Sequence, residues 1–277
     1  MDTTPPLPDA TPAADATPTA GPIPTPAART PRNGPRKSRR PRIPRREWLL
    51  GAGLALLAAI PSIAGAVKLE GLATGVPATP ETARFVEMPT PVAIHIVAAI
   101  VYSYVGIGQF LPTVRRRNLG LHRAMGRYVL VPAGFAVALT GLWMNVAYEF
   151  PAIDGVGLLI SRYVVGIGMA VALVLALVAI GRRDVPTHAA WMIRAYALAL
   201  GAGTQVLTSA PPMILFGPPD ELGRLLQMDA GWLINIVVAE LVIARWIRPR
   251  RRPSTTSGHR TKTSRRAGTA RPKAAQA

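Results

Sequence analysis

The sequence predicts an all-α integral membrane protein with six transmembrane helices. Spans two to five form a four-helix core with a weak tandem repeat, and both termini face the cytoplasm. Three observations predict this fold. First, the 277-residue chain is both apolar and basic, with 49% hydrophobic residues, 17% charged residues and a formal net charge of +18. A soluble domain carries about 25% charged residues, so charge and apolarity must lie in different segments. Second, they do. Residues 29–46 hold nine Lys/Arg and no acid, and residues 245–277 hold eleven and no acid, so these segments carry 20 of the 32 basic residues. Third, six apolar stretches lie between them, at about 48–67, 91–112, 126–147, 156–180, 189–210 and 230–247. Each approaches the ~20 residues that a helix needs to cross a bilayer core. With no cysteine in the chain, a disulfide scaffold and a Cys-ligated zinc or iron–sulfur site are excluded.

Taken in order, residues 1–47 read as a cytoplasmic tail, Pro/Ala/Thr-rich and then Arg-rich. Such a segment buries too little to recover its ordering entropy and stays disordered, partly as polyproline II. It does not read as a signal peptide, because no apolar stretch follows a short basic start. The membrane domain runs over 48–247. Thr90-Pro91 reads as a cap and first-turn proline opening the second span, and Pro186-Thr187 does similar work before the fifth. Pro211-Pro212 reads as the end of the fifth span, with Gly217-Pro218-Pro219 extending the loop. Trp48, Trp143, Trp191, Trp232 and Trp246 fall near predicted span ends, as interfacial belts require. Residues 248–277 read as a second disordered basic tail.

Loop charge orients the bundle. The 112–128 loop carries Arg115, Arg116, Arg117, Arg123 and Arg127 without an acid, and the 181–189 loop carries Arg182 and Arg183 against Asp184. The opposite loops are acidic on balance, with Glu70, Glu81, Glu87, Glu149, Asp154, Asp220, Glu221 and Asp229 against Lys68, Arg84 and Arg224. The positive-inside rule then places both termini in the cytoplasm of a bacterial inner-membrane protein. The basic tails abut span ends. They fix topology and attract anionic lipid headgroups without any need to invoke nucleic acid.

The second and third spans resemble the fourth and fifth at an offset of 66 residues. His122 aligns with His188, Arg116 with Arg182, Arg117 with Arg183 and Asn118 with Asp184. Such a parallel repeat implies a pseudo-two-fold axis along the membrane normal. It sets the two histidines at equivalent cytoplasmic ends of core helices.

These residues carry a resemblance. His95, Gly106-Ile107-Gly108-Gln109-Phe110, Arg115–Arg117, Leu121-His122-Arg123-Ala124-Met125-Gly126-Arg127-Tyr128 and the run from His188 through Trp191-Met192-Ile193-Arg194 to Tyr196 stand in order. The pattern H…GxxQF…RRR…LHRxxGRxY…HxxWMxRxYAL resembles a bacterial family of multi-span membrane proteins of unknown function, over about residues 90–200. A looser architectural similarity links the chain to transmembrane b cytochromes of the ascorbate-reducible type.

Three functional readings follow. In the first, His122 and His188 are the axial ligands of a b-type haem, Arg123, Arg127 and Arg194 pair with its propionates, and the protein passes electrons to or from a quinone or a cytoplasmic donor. The bland alternative makes both histidines helix-start caps. In the second, the protein is a small-molecule or proton-coupled carrier. An outer cluster of His95, Asn145, Arg162 and Tyr163 then lines a small-molecule or quinone pocket, or else only holds helices together. Glu240 reads as the only acid inside a span, at about the depth of Arg194, and the two should pair. Gln109, Asn145, Gln205 and Asn235 read as interhelical hydrogen-bond partners. In the third, the chain is a non-catalytic scaffold presenting its tails. No HExxH, GxSxG or carboxylate cluster supports a hydrolase, and no phosphate-binding glycine loop supports a kinase.

Overall fold

The computed structural model describes residues 43–246, together with residues 1 and 21. The rest of the tails predicted over 1–47 and 248–277 lies outside the described residues. Residues 43–246 fall within one compact unit, Pro41–Ala277. Among the described residues every regular element is helical.

Among the described residues, five helical runs are long and apolar enough to cross a membrane. The first is α1 (Arg45–Thr74), closed by Gly75 at φ 81°, a left-handed position that glycine adopts without steric cost. A short α2 (Ala83–Glu87) leads into the second run, α3 (Pro89–Phe110). The third, Leu119–Ala147, joins α5 (Leu119–Met125) to α6 (Val131–Ala147) through a π turn at Gly126–Leu130. There Val131 N–H bonds the Gly126 carbonyl five residues back. Pro132 follows at once and has no N–H to give, so the ladder is interrupted where the wider turn sits. Between the second and third runs lies α4 (Pro112–Arg117). The fourth run contains α7 (Gly155–Gly181), and the last is α10 (Glu221–Trp246).

The fifth predicted span differs. It is broken at Leu200 into α8 (Val185–Ala199) and α9 (Gly201–Phe216). Both pack along α10 in one antiparallel register. Arg194 meets Glu240, Ala197 meets Asn235, Thr204 meets Asn235, Gln205 meets Met228 and Thr208 meets Gln227. As one residue number rises the other falls, on both sides of the break. The two short helices therefore follow a single track.

Spans two to five supply the core. Ala98 and Tyr102 of α3, Val137 and Ala138 of α6, Met169, Ala172, Leu173 and Ala176 of α7, and Met192, Ala195 and Tyr196 of α8 pack together, joined by Ala58 of α1. Helices approach closely where glycine removes a side chain. A Cβ on Gly106 would strike the Tyr196 ring, and one on Gly134 would meet Tyr102 Cε2 at 2.6 Å. The outward faces stay apolar: Leu56, Ile63, Val67, Val164 and Ile167 are each more than half exposed. Such a surface is solvated by lipid tails.

Several boundaries depart from the sequence reading. Pro211 and Pro212 do not end the fifth span, because α9 continues through them to Phe216. Proline's fixed φ suits a helix, and membrane helices tolerate the lost donors where neighbours supply others. Thr90 does not cap α3, which begins at Pro89 with Met88 at its cap position. Much of the predicted 112–128 loop is helical. The predicted loop up to residue 229 is shorter, because α10 begins at Glu221. Asp229 is therefore also inside a helix, so Glu240 is not alone. For the same reason Trp232 lies near the middle of α10 rather than at its end. It packs where a Cβ on Gly201 would be.

Candidate functional site

A proline inside the continuous helix α1 and the break between α8 and α9 lie against each other at mid-height of the bundle. Pro61 lies near the midpoint of α1, and Leu200 near the midpoint of the α8–α9 track. Proline at 61 removes the N–H that would bond the Leu57 carbonyl four residues back. Against that carbonyl comes Gly203 of α9, so closely that a Cβ there would collide with it. The break at Leu200 likewise disturbs the carbonyls of the last turn of α8. Asn235 of α10 bridges the gap: its Nδ2 donates to the Ala197 carbonyl at 3.0 Å, and its Oδ1 accepts from the Thr204 hydroxyl at 2.7 Å.

Between these defects and α3 lies a cavity of about 170 Å³. Pro61 and Ser62 of α1, His95 and Ser103 of α3, and Leu200 and Gly203 of the junction line it. The hydrogen bonds around His95 set its tautomer. Thr140 of α6 gives its hydroxyl hydrogen to the Ala136 carbonyl one turn back. Its oxygen is then left to accept from His95 Nδ1–H at 3.0 Å. The lone pair of the imidazole therefore sits on Nε2. Ser62 and Ser103 also bring hydroxyls to the lining.

His95 is thus not joined to Arg162, Tyr163 or Asn145 by hydrogen bonds, as the sequence reading of one outer cluster required. Arg162 instead meets Asp154 at 2.7 Å, and Asp154 also receives Arg224 of α10 at 2.7 Å. Asn145 donates to the Leu159 carbonyl of α7 at 3.2 Å. Ser161 donates to Asp229 at 2.8 Å. These contacts tie α6, α7 and α10 together at the end opposite the arginine-rich loops.

At that arginine-rich end, the repeat is visible in cap geometry. Asn118 Oδ1 accepts from Leu121 N at 2.9 Å, and Asp184 Oδ1 accepts from Thr187 N at 3.1 Å, each three residues on. One residue further, His122 and His188 bond the cap carbonyls through their backbone N–H groups. Hydrogen bonds from Thr187 hold the Asp184 carboxyl below the usual carboxylate range. The His188 Nδ1–H donates to the Ala176 carbonyl of α7 at 2.9 Å. His122 Nδ1 and Gln109 Oε1 are buried without a partner among the described residues.

As predicted from depth, Arg194 and Glu240 pair, through Nε–Oε1 at 2.5 Å and Nη2–Oε2 at 3.0 Å. The Arg194 guanidinium also lies 4.4 Å from the Trp191 ring centre. Arg127 stands over Tyr128 at 5.6 Å. Of the four amides expected to bond between helices, Asn145, Gln205 and Asn235 do so, and the Gln109 carbonyl oxygen does not.

A haem ligand holds its second ring nitrogen against a carbonyl or carboxylate. His188 meets that requirement and His122 does not, while Arg194 is committed to Glu240. Among the described residues no three His, Cys, Asp or Glu side chains gather as a metal-binding group.

Sequence reasoning missed one carboxylate. Glu47, counted with the N-terminal tail, is buried and accepts from Thr113 N at 3.0 Å and Thr113 Oγ1 at 2.8 Å. It binds the first turn of α4, and its single negative charge amid a basic run was the available signal.

Fold and lining together define a polytopic helical membrane protein with polar groups buried between its helices. The chain belongs to the family described as "Predicted membrane protein (DUF2306)", which matches residues 92–243. No curated protein and no solved structure matches the chain.

Proposed function

We propose that the protein is a six-span carrier of the bacterial inner membrane, with both termini in the cytoplasm, that binds a small molecule at mid-depth between α1, α3 and the α8–α9 junction. The observation that carries this reading is the convergence of the α1 proline and the α8–α9 break on one cavity lined by His95. Carriers bind at the midplane where helices are discontinuous, because irregular backbone in a membrane must line a cavity or find partners in neighbouring helices. The shared antiparallel register of α8 and α9 along α10 supports counting them as one span, which gives six. On this reading Arg194–Glu240 is a structural pair and takes no part in relaying protons. The basic tails rest on anionic lipid.

The chain has no cysteine, so single cysteines report access directly. Ala99→Cys and Ala202→Cys, at the cavity wall, should react with a water-soluble maleimide in intact membranes. If both resist it from both faces, the carrier reading fails. Ala78→Cys should label from outside and Leu119→Cys from the cytoplasm. Labelling from one common side would overturn the six-span topology.

A second reading, a b-type haem between His122 and His188, is favoured by the carbonyl-anchored Nδ1–H of His188. Haem would supply one-electron chemistry. These two side chains would hold the iron, with Arg123 and Arg127, one and five residues after His122, available for its propionates. Protein purified after expression with ample haem should then show a Soret band that is lost in His122→Ala and in His188→Ala. A colourless preparation sinks this reading.

A further inference from the structure

From the cavity lining we infer the chemical class of its occupant: an uncharged, ring-sized molecule carrying a hydroxyl, which donates its hydrogen to His95 Nε2. The inference rests on the proposed binding site and adds its specificity.

The size comes from the volume. A cavity of about 170 Å³ is close to the roughly 150 Å³ engineered cavity that accommodates benzene. The charge class comes from the walls. No acidic or basic Lys, Arg, Asp or Glu side chain lines the cavity. An ion at this depth would lack a partner and would be costly to hold. A mostly apolar site with a few convergent polar atoms instead suits a neutral, mostly apolar ligand.

The polarity comes from the tautomer. Thr140 spends its hydrogen on the Ala136 carbonyl and therefore takes the hydrogen of His95 Nδ1. Nε2 is left as an acceptor with no donor among the described residues, on a helix face that also presents the Ser103 hydroxyl two turns away. A carbonyl-only ligand would set lone pair against lone pair at Nε2. A phenol or quinol ring would place O–H there, and its remaining polar edge would reach a serine. A site built to bond a hydroxyl discriminates strongly against the analogue that lacks it, because its own polar atom is otherwise left unpaired.

The test compares phenol with toluene, which have nearly the same shape and differ in hydroxyl against methyl. The readout is protection of Ala99→Cys from maleimide in the full-length protein, at matched concentrations of probe in the membrane. Phenol should protect at about tenfold lower concentration, the factor that one hydrogen bond of about 1.4 kcal/mol supplies. Benzoate should not protect. His95→Phe should erase the difference while leaving toluene protection intact. Should His95→Phe fail to fold, Thr140→Val serves instead. It removes the group that fixes the tautomer and should shrink the preference for phenol. Equal protection by phenol and toluene overturns the ligand class and leaves the site standing. A reactive cysteine that neither probe protects also overturns the inference. A cysteine that never reacts removes the carrier site itself.

Discussion

Replacing Asn235 by leucine should loosen the junction between α8 and α9. Asn235 makes two hydrogen bonds that span the break, one from Nδ2 to the Ala197 carbonyl at 3.0 Å and one to Oδ1 from the Thr204 hydroxyl at 2.7 Å. Interhelical side-chain bonds in membranes average about 0.6 kcal/mol and reach about 1.7. The Thr204 bond belongs in that range. Ala197 is 9% exposed, and a buried carbonyl deprived of its donor costs roughly 1–3 kcal/mol. The sum is a loss of about 2–4 kcal/mol for Asn235→Leu. Thr204→Val breaks only the hydroxyl bond and should cost under about 2 kcal/mol. Reversible unfolding in mixed micelles measures both, and the double variant completes a cycle in which it should cost less than the sum of the two single variants. Hydrogen exchange over 200–204 should rise in Asn235→Leu above all. If Asn235→Leu stays within about 0.5 kcal/mol of the parent, the bridge does not hold the junction together.

Other perturbations separate packing from polarity. Gly106→Ala should destabilise by about 1–3 kcal/mol, because its Cβ would meet the buried Tyr196 ring, whereas Gly108→Ala two residues on meets nothing within 4 Å and should be neutral in the same unfolding assay. Asp154→Asn should cost about 2–3 kcal/mol, since the carboxylate is 4% exposed and holds two arginines; their own exposures of 19% and 34% keep the loss below the roughly 3–5 kcal/mol of a fully buried pair. A melting temperature unchanged in Asp154→Asn would show that this network carries no stability. The Asp184 cap should be sensitive to acid. Its carboxyl is held below the usual range by Thr187. The cap's contribution is therefore complete above the unfolded-state value and disappears as pH falls through the lower folded-state value. Exchange of the Thr187 amide should quicken at that pH. The equivalent Leu121 amide, capped by the neutral Asn118, should not respond, and equal acceleration at both would refute the assignment.

Hydropathy alone located the apolar centres of the spans, because lipid asks for little more than length and absence of charge. Where charge is neutralised across space, that signal failed. Glu221, Arg224 and Asp229 read as loop residues, yet Arg224 is paired with Asp154 and Asp229 with Ser161, so α10 runs straight through them. Partners four or more turns away in another helix leave no local mark. The Arg194–Glu240 pair was legible because both are rare charges at one computed depth. By contrast, the Thr140 partner of His95 was not, since threonine is common in such helices. Gly201 and Gly203 are sites of close approach to neighbouring helices. That the helix between them and Tyr196 would break depended on the Leu57 carbonyl and Trp232, which belong to two other helices. The 66-residue repeat aligned Asn118 with Asp184, but that these two residues, rather than the histidines or Thr187, cap the helices was not read from the sequence.

The continuous track of α8 and α9 along α10 bears on how the protein is made. Arg194, the Ala197 carbonyl, Thr204, Gln205 and Thr208 all find partners on α10, and α10 emerges from the ribosome after them. During synthesis the fifth segment must wait in the insertion machinery or in lipid with its polar groups unmatched. The last helix then slides in as a splint along both halves of the break. A nascent chain stopped at residue 220 would therefore present an unsplinted, polar-flecked helix to the membrane's proteases, and α10 would supply the partners that this helix lacks.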